Sequence, residues 1–133
     1  IFKGKLPYAE MLENTAVSDI GISFDKDTNI NYRFSLPNKI FDYIQCGVPV
    51  LASRLPEIEK VISQYGVGDF IDNHEPKHIA SKLNEMLADS AKQNERKMNC
   101  IEAAKILNWV NEEKIVLDIF NKILSPEGRV SEG

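Results

Sequence analysis

Two side chains in the run PNKIFDYIQCGVPV, residues 37–50, have the types and the spacing for ligand binding. Lys39 and Asp42 lie three residues apart and would share one face of a helix. A lysine in the first turn of a helix, with an acid one turn further on, can hold a phosphate and a sugar hydroxyl together, because helix N-termini attract anions and carboxylates accept hydrogen bonds. The alternative is a solvated Lys39–Asp42 ion pair, which would stabilise the helix by only about 0.2–0.5 kcal/mol.

The residues around this pair predict a helix over residues 38–46 that leads directly into a strand over residues 50–53. Pro37 fits the first turn of the helix, where its missing N–H costs nothing. Gly47 supplies the left-handed residue that ends a helix, and Pro49 prevents its continuation. The apolar residues that recur at helical spacing, and would face the core, are Ile40, Phe41 and Ile44.

The remaining sequence alternates short apolar strands with amphipathic helices. Strands are predicted at residues 1–3, 20–24, 50–53 and 68–71. Helices are predicted at residues 8–16, 38–46, 57–65, 76–88, 92–107 and 110–124, with a polar loop between residues 24 and 36. This alternation implies an α/β fold in which helices cover both faces of a parallel sheet.

The composition restricts the classes of function. With 43% hydrophobic and 27% charged residues over 133 positions, the chain has the balance of one globular domain. The net charge of −4 argues against sequence-independent binding of nucleic acid, which requires a concentrated positive field. No apolar run approaches the ~20 residues that span a bilayer. Cys46 and Cys100 lack CxxC spacing and are interpreted as core side chains in a reducing compartment, so a cytosolic location is expected.

Residues 37–53, PNKIFDYIQCGVPVLAS, resemble the segment PxKxFEYMAxGxPVVAS of the nucleotide-sugar glycosyltransferases of family 4 (group 1). Three further segments match that family in the same order: IFKGKLP at residues 1–7, the Gly and Glu-Pro positions between residues 66 and 79, and Asn-Trp at residues 108–109. The resemblance implies the second, Rossmann-like lobe of a GT-B fold.

This implied lobe extends over residues 1–125 and is followed by a flexible tail over residues 126–133. We expect this lobe to be truncated at its start, because the doubly wound order would place two further strands between residues 1–3 and 20–24 in the sheet. The first residue is isoleucine, and we expect the chain to be part of a longer protein. An isolated chain of this kind is expected to be unstable, oligomeric or rearranged at its N-terminal edge.

The resemblance also implies a binding site for a nucleotide diphosphate sugar. Asp42 takes the place of a glutamate that accepts hydrogen bonds from the ribose hydroxyls. Lys39 and the backbone amides of Asn38 and Lys39 would face the diphosphate, in the segment that begins at Pro37. The turn that ends at Leu6 would contact the nucleobase through its main chain. The alternative for Asn38 is that it only caps the helix.

One position departs from the family pattern. The first acid of the motif E-x7-E would fall at Phe34, so the resemblance does not imply which sugar the donor carries. Asp25, Asp27 and Arg33 lie in the same loop and are candidate substitutes. This loop follows the carboxyl end of a predicted strand, where open α/β sheets bind ligands.

The implied activity is the transfer of a sugar, with retention of configuration, from a nucleotide diphosphate sugar to a carbohydrate or lipid-linked acceptor, as in polysaccharide biosynthesis. An N-terminal lobe outside this sequence would hold the acceptor, and the chain alone would be inactive. Basic residues and helix dipoles stabilise the leaving group in such enzymes, so neither a metal nor a cofactor is expected. A lipid-linked acceptor would bring the protein to the cytosolic face of a membrane.

Two other functions remain open from the sequence. The first is an isomerase that resembles the nucleotide-sugar 2-epimerases, although their DSGG turn is absent and the corresponding residues read FSLPNKIFD. The second is a non-catalytic, partner-binding module of the same fold, for which Phe34 and the aspartate at position 42 would be signs of decay. Nucleotide binding distinguishes the module from the enzyme.

Two further motifs are interpreted as helix boundaries. HEPKH at residues 74–78 satisfies the zinc-protease pattern H-E-x-x-H, but Pro76 would begin a helix and leave His74 outside it. The two imidazoles would then not share a helix face. Gly66-Val67-Gly68 follows a helix and enters a strand, which is the reverse of the phosphate-binding order. We interpret this motif as the end of a helix and a turn.

Overall fold

The computed structural model of the chain describes residues 4–107, 117–118 and 121–122. Within these residues, helices and strands follow one another in the order α1-β1-α2-α3-β2-α4-β3-α5-α6. The strands are β1 (Gly21–Ser23), β2 (Val50–Ser53) and β3 (Gly68–Ile71). The helices are α1 (Tyr8–Ala16), α2 (Ile30–Arg33), α3 (Asn38–Gln45), α4 (Pro56–Tyr65), α5 (Pro76–Ala88) and α6 (Ser90–Ile106).

Within the described residues, β2 is the central strand of a three-stranded parallel sheet with the order β1-β2-β3. Val50 of β2 pairs with Gly21 on one side and with Gly68 on the other. Every residue of β2 is buried, as expected for a parallel strand that is covered on both faces. The structure therefore confirms the predicted Rossmann-like α/β fold.

Helices pack on both faces of the sheet because successive side chains of β2 point in opposite directions. On one face, Val50 and Ala52 contribute to a core cluster with residues of α3, α4 and α6. On the other face, Leu51 packs with Met86 of α5. The larger cluster consists of Ile40, Ile44, Val50, Ala52, Leu55, Ile58, Ile62, Val67, Phe70, Cys100 and Ala103.

Proline and glycine mark several helix ends, which is why the sequence predicted these ends well. Pro56 and Pro76 lie in the first turns of α4 and α5. Gly66 ends α4 in the left-handed conformation, with φ of 63°, which confirms that the Gly-Val-Gly motif is a helix end. Gly47 has φ of 71° just after α3.

The differences from the sequence predictions concentrate in one loop and near the end of the chain. The four-residue helix α2 lies inside the predicted polar loop and is too short to show a helical period. α6 begins at Ser90, two residues earlier than predicted, because the Asp89 side chain accepts a 3.0 Å hydrogen bond from the backbone N–H of Lys92. The strand predicted at residues 1–3, the Asn-Trp match and the tail over residues 126–133 lie outside the described residues, as does most of the helix predicted at residues 110–124.

α6 closes the edge of the sheet at which the strands begin. The Gln93 side chain donates a 2.9 Å hydrogen bond to the carbonyl of Asp19, just before β1. The Asn99 side chain donates a bond of the same length to the carbonyl of Gly66, just before β3. These contacts attach α6 to the segments that enter two strands. No helix among the described residues is long and apolar enough to cross a membrane.

Cys100 should be protected from thiol reagents until the protein unfolds. Its side chain is fully buried in α6, and burial raises its pKa to about 12, so the thiol is neither accessible nor ionised near neutral pH. Cys46 is only partly buried. In a Cys46→Ser variant the remaining thiol is Cys100, and we expect it to react with Ellman's reagent at about pH 8 no faster than the protein unfolds. In a Cys100→Ala variant the remaining thiol is Cys46, and we expect it to react in the native state. Rapid labelling of native Cys46→Ser would contradict this expectation.

The same thiol makes stability depend on pH in the alkaline range. The folded-state pKa of Cys100 lies above the ordinary value of 9.0, so its contribution to stability is complete below that value. The contribution is lost as the pH rises towards about 12, because only the unfolded thiol ionises. Urea titrations at about pH 8 and about pH 10.5 should show a smaller alkaline loss for Cys100→Ala than for the unmodified protein.

Candidate functional site

The first turns of α1 and α3 lie towards the edge of the sheet at which the strands end. Each of these helices leads into a parallel strand that begins at the opposite edge, so each helix starts near the carboxyl edge. Open α/β sheets bind their ligands at that edge. The fold thus places the residues of the predicted site where ligand binding is expected.

The first turn of α3 is open to solvent. Asn38 and Lys39 are exposed and are the first two residues of the helix. Pro37 is the N-cap in an extended conformation, with ψ of 140°, and supplies no side-chain cap. The prediction that Pro37 belongs to the first turn is therefore wrong by one position, and Asn38 is not the cap. A helix start without a side-chain cap can bind an anion through its backbone N–H groups.

Asp42 lies one turn further along α3, and its carboxylate has a partner that the sequence did not indicate. The Tyr8 hydroxyl donates a 2.8 Å hydrogen bond to Asp42 Oδ1 across 34 positions of sequence. This bond, followed by a smaller effect of burial, raises the pKa of Tyr8 above its ordinary value. In the part of the chain that the structure describes, Lys39 and Asp42 form no ion pair, so the helix-pair alternative does not hold.

Tyr43 fixes the position of α3 on β1. Its ring lies so close to Gly21 that a Cβ atom at this glycine would overlap the ring. Its hydroxyl donates a 3.0 Å hydrogen bond to the carbonyl of Ile22. Burial is the main cause of the raised pKa of Tyr43, and the charge of Asp42 raises it further.

The turn predicted to contact a nucleobase comes directly before α1. Gly4 has φ of 68°, the left-handed conformation that favours glycine, and nothing would meet a Cβ atom there. Leu6 is half-buried and lies two residues before Tyr8, the residue that contacts Asp42. The connection from Leu6 through Tyr8 to Asp42 links two separate parts of the predicted site.

A cavity of about 240 Å³ opens among the residues that follow the three strands. Its lining includes Asp25 and Asp27 after β1, Ser53 at the end of β2, and His74 after β3. His74 Nε2 lies 3.1 Å from the carbonyl oxygen of Phe24 and 3.3 Å from Ser53 Oγ. Because a carbonyl oxygen only accepts, Nε2 carries the hydrogen of the first contact.

This cavity is not lined by the five predicted site residues, which are Leu6, Pro37, Asn38, Lys39 and Asp42. Of the residues that do line it, the sequence indicated Asp25 and Asp27 as candidates. Arg33, one of the proposed substitutes for the missing acid, donates a 2.9 Å hydrogen bond to Asp27, and this contact raises the pKa of Arg33. Ser53 and His74 were not predicted as partners. The available signal was that Ser53 ends one predicted parallel strand and His74 follows another, because the ends of such strands meet at one edge.

The HEPKH segment begins a helix, as predicted. α5 starts at Pro76, so His74 lies outside it, and His78 Nε2 accepts a 2.9 Å hydrogen bond from the backbone N–H of Asp72. The two imidazoles therefore have different partners on different elements. Among the described residues, no group of three or more His, Cys, Asp or Glu side chains is arranged to hold a metal ion.

The fold and this edge of the sheet define an α/β protein of Rossmann-like architecture. Over 81 residues, or 61% of its length, the chain is 28% identical to the D-inositol 3-phosphate glycosyltransferase of Nocardiopsis dassonvillei. The match covers 19% of that protein, so the chain spans about a fifth of the curated relative that it matches. No family model and no solved structure matches the chain. The chain is therefore similar to a part of a glycosyltransferase.

Proposed function

We propose that this chain forms part of the donor-binding lobe of a glycosyltransferase of the GT-B type that uses a nucleotide diphosphate sugar. The observation that carries the proposal is the similarity over 81 residues to a glycosyltransferase. Its support from the structure is the open first turn of α3 next to Asp42, at the ligand-binding edge of a parallel sheet.

The diphosphate of the donor would bind at the start of α3. The backbone N–H groups of Asn38 and Lys39 carry partial positive charge, and the exposed Lys39 ammonium adds a full one. These groups would neutralise the charge that develops on the diphosphate as the bond to the sugar breaks. Family resemblance adds that the reaction retains the configuration of the transferred sugar and that a second lobe holds the acceptor.

The ribose of the donor would bind at Asp42. A carboxylate only accepts hydrogen bonds and can accept from two hydroxyls at once, so it suits a vicinal diol. The Tyr8 hydroxyl donates to Oδ1 of Asp42, and Oδ2 can accept a hydrogen bond from a hydroxyl of the ligand. The nucleobase would then lie towards the turn that ends at Leu6, two positions before Tyr8.

Replacing Asp42 with alanine should weaken the binding of one nucleoside diphosphate by about 1–3 kcal/mol, as expected for the loss of a hydrogen bond to a charged group. The measurement is calorimetric titration of the full-length protein with UDP, GDP and ADP in turn. Asp42→Glu should retain binding, because the family that this chain resembles has glutamate at the corresponding position. Glu102→Ala removes one negative charge on α6, where Glu102 contacts Lys105 at 2.9 Å, and serves as the control.

Each outcome of this titration assigns the function differently. Saturable binding of one diphosphate that depends on Asp42 supports the donor-binding lobe and identifies the base. Equal binding by the unmodified protein and Asp42→Ala would remove Asp42 from the site. If none of the three diphosphates binds, the transferase proposal fails, and the partner-binding module becomes the better explanation of the same fold.

A further inference from the structure

The contact between Tyr8 and Asp42 assigns a role to a residue that neither the motif nor the sequence spacing indicated. We propose that Tyr8 is a positioning residue: it holds the Asp42 carboxylate through Oδ1 and leaves Oδ2 to accept a hydrogen bond from a ribose hydroxyl of the nucleotide. This inference rests on the proposed function, since the ligand that it serves is a nucleoside diphosphate.

The first argument is the geometry of the bond. The distance of 2.8 Å between the Tyr8 hydroxyl and Asp42 Oδ1 lies at the preferred length for hydroxyl donors. Bonds to an ionised acceptor are stronger than neutral ones, so the carboxylate gains a defined orientation. Lys39, which the sequence offered as the partner of Asp42, does not form an ion pair with it among the described residues. Within the described residues, the Tyr8 bond is therefore the contact that anchors this carboxylate in the fold.

The second argument is that the bond is a poor device for holding the fold together. α1 contributes no buried residue, and 62% of the Tyr8 surface is exposed. Hydrogen bonds and ion pairs on exposed surface add little to stability, because water competes for both partners. A tyrosine kept on the surface only for packing would not need its hydroxyl on Asp42. The effect of the bond is thus expected at the carboxylate and not in the core.

The third argument is location. Tyr8 is the first residue of α1, and α1 and α3 both start towards the carboxyl edge of the sheet. The turn that ends at Leu6 is separated from Tyr8 by Pro7 alone. Tyr8 therefore connects the segment proposed for the base with the side chain proposed for the ribose. Because the bond to Asp42 raises the pKa of Tyr8, the hydroxyl keeps its proton and remains a donor at neutral pH.

The test compares how well the full-length protein distinguishes a nucleoside diphosphate from its 2′,3′-dideoxy counterpart. The probe is whichever of UDP, GDP and ADP binds the unmodified protein. Tyr8→Phe removes only the hydroxyl, and it should lower the preference for the ribose form by about three- to tenfold. The affinity for the dideoxy form should stay unchanged, because its diphosphate contacts do not involve Asp42.

Two variants separate positioning from a general structural effect. In an Asp42→Ala background, Tyr8→Phe should have no further effect on the preference, because the carboxylate that it orients is gone. Tyr65→Phe removes the hydroxyl of a partly buried tyrosine in α4 that packs against the larger core cluster, and it should leave the preference unchanged. If the role of Tyr8 were only structural, Tyr8→Phe would instead lower the melting temperature and weaken the binding of both nucleotides equally.

The outcomes distinguish the two proposals. If a diphosphate binds and Asp42→Ala lowers the preference while Tyr8→Phe does not, the role of Tyr8 is wrong and the proposed function stands. A loss that persists in the Asp42→Ala background would also overturn the positioning role. If the unmodified protein binds none of the three diphosphates, the proposed function fails and the role of Tyr8 fails with it.

Discussion

Replacing Gly68 with alanine should destabilise the protein by about 3 kcal/mol or more, the upper range for forcing an extra group into a packed core. Gly68 begins β3 and pairs directly with Val50 of the central strand. A Cβ atom at this position would overlap the backbone carbonyl of Val50, and backbone inside a sheet cannot move aside as a side chain can. The β2–β3 pairing would have to separate locally to relieve the overlap.

The measurement is urea unfolding of Gly68→Ala followed by circular dichroism. Gly47→Ala provides the matched control, because Gly47 has φ of 71° but a Cβ atom there would make only an ordinary 3.8 Å contact with Ile101. That control should cost about 1–2 kcal/mol, the penalty of the left-handed conformation. Equal losses in the two variants would show that the close approach of Gly68 to Val50 is not the cause.

Replacing Asp69 with asparagine should destabilise the protein more than replacing Arg96 with methionine. Asp69 Oδ2 lies 3.6 Å from Arg96 Nη2, and the Arg96 side chain is only 8% exposed whereas that of Asp69 is 33% exposed. Asparagine would leave a buried guanidinium without its anion, at a cost of about 3 kcal/mol. Methionine at position 96 would leave the Asp69 carboxylate unpaired, but water can reach that carboxylate. The apolar side chain of the methionine would retain much of the packing of the arginine.

This comparison is measured by thermal and urea unfolding of the two single variants and of the double variant. Asparagine keeps the Oδ1 acceptor that receives a 2.8 Å hydrogen bond from the backbone N–H of Phe70, so the change is confined to the atom that faces Arg96, where a charged acceptor becomes an amide donor. The double variant should be more stable than Asp69→Asn by itself, because the unpaired charge is removed. A greater loss from Arg96→Met than from Asp69→Asn would contradict the proposed asymmetry.

The parts of the fold that could be predicted from the sequence are those marked by local chemistry. Pro76 and Gly66 mark helix ends in any fold, and the bounds of β2, β3 and α5 were predicted without error. The apolar run of β2 indicated burial on both faces. The close approach of Gly68 to Val50 was not predictable, because it depends on the register between two strands.

The candidate site was predicted in its chemical types but not in its contacts. Position and exposure of Asn38 and Lys39 follow from the start of a helix, which the sequence marks at Pro37. The partner of Asp42 was not predicted. The local pattern indicated Lys39, three positions away in the sequence, whereas in the fold the partner is Tyr8, 34 positions away. A single sequence contains no signal for a side-chain contact over such a separation.

The way in which α6 closes one edge of the sheet has a consequence for mutational tolerance. Gln93 and Asn99 donate from their side chains, but the carbonyls that accept belong to the backbone of Asp19 and Gly66. A backbone acceptor is present whatever residue occupies the position, so the Asp19 side chain is free to vary as far as this contact is concerned. The amide donors have no such freedom, because only a side chain of the right length and chemistry reaches the carbonyl. Variation along this edge should therefore be one-sided, with restriction on α6 and tolerance at Asp19.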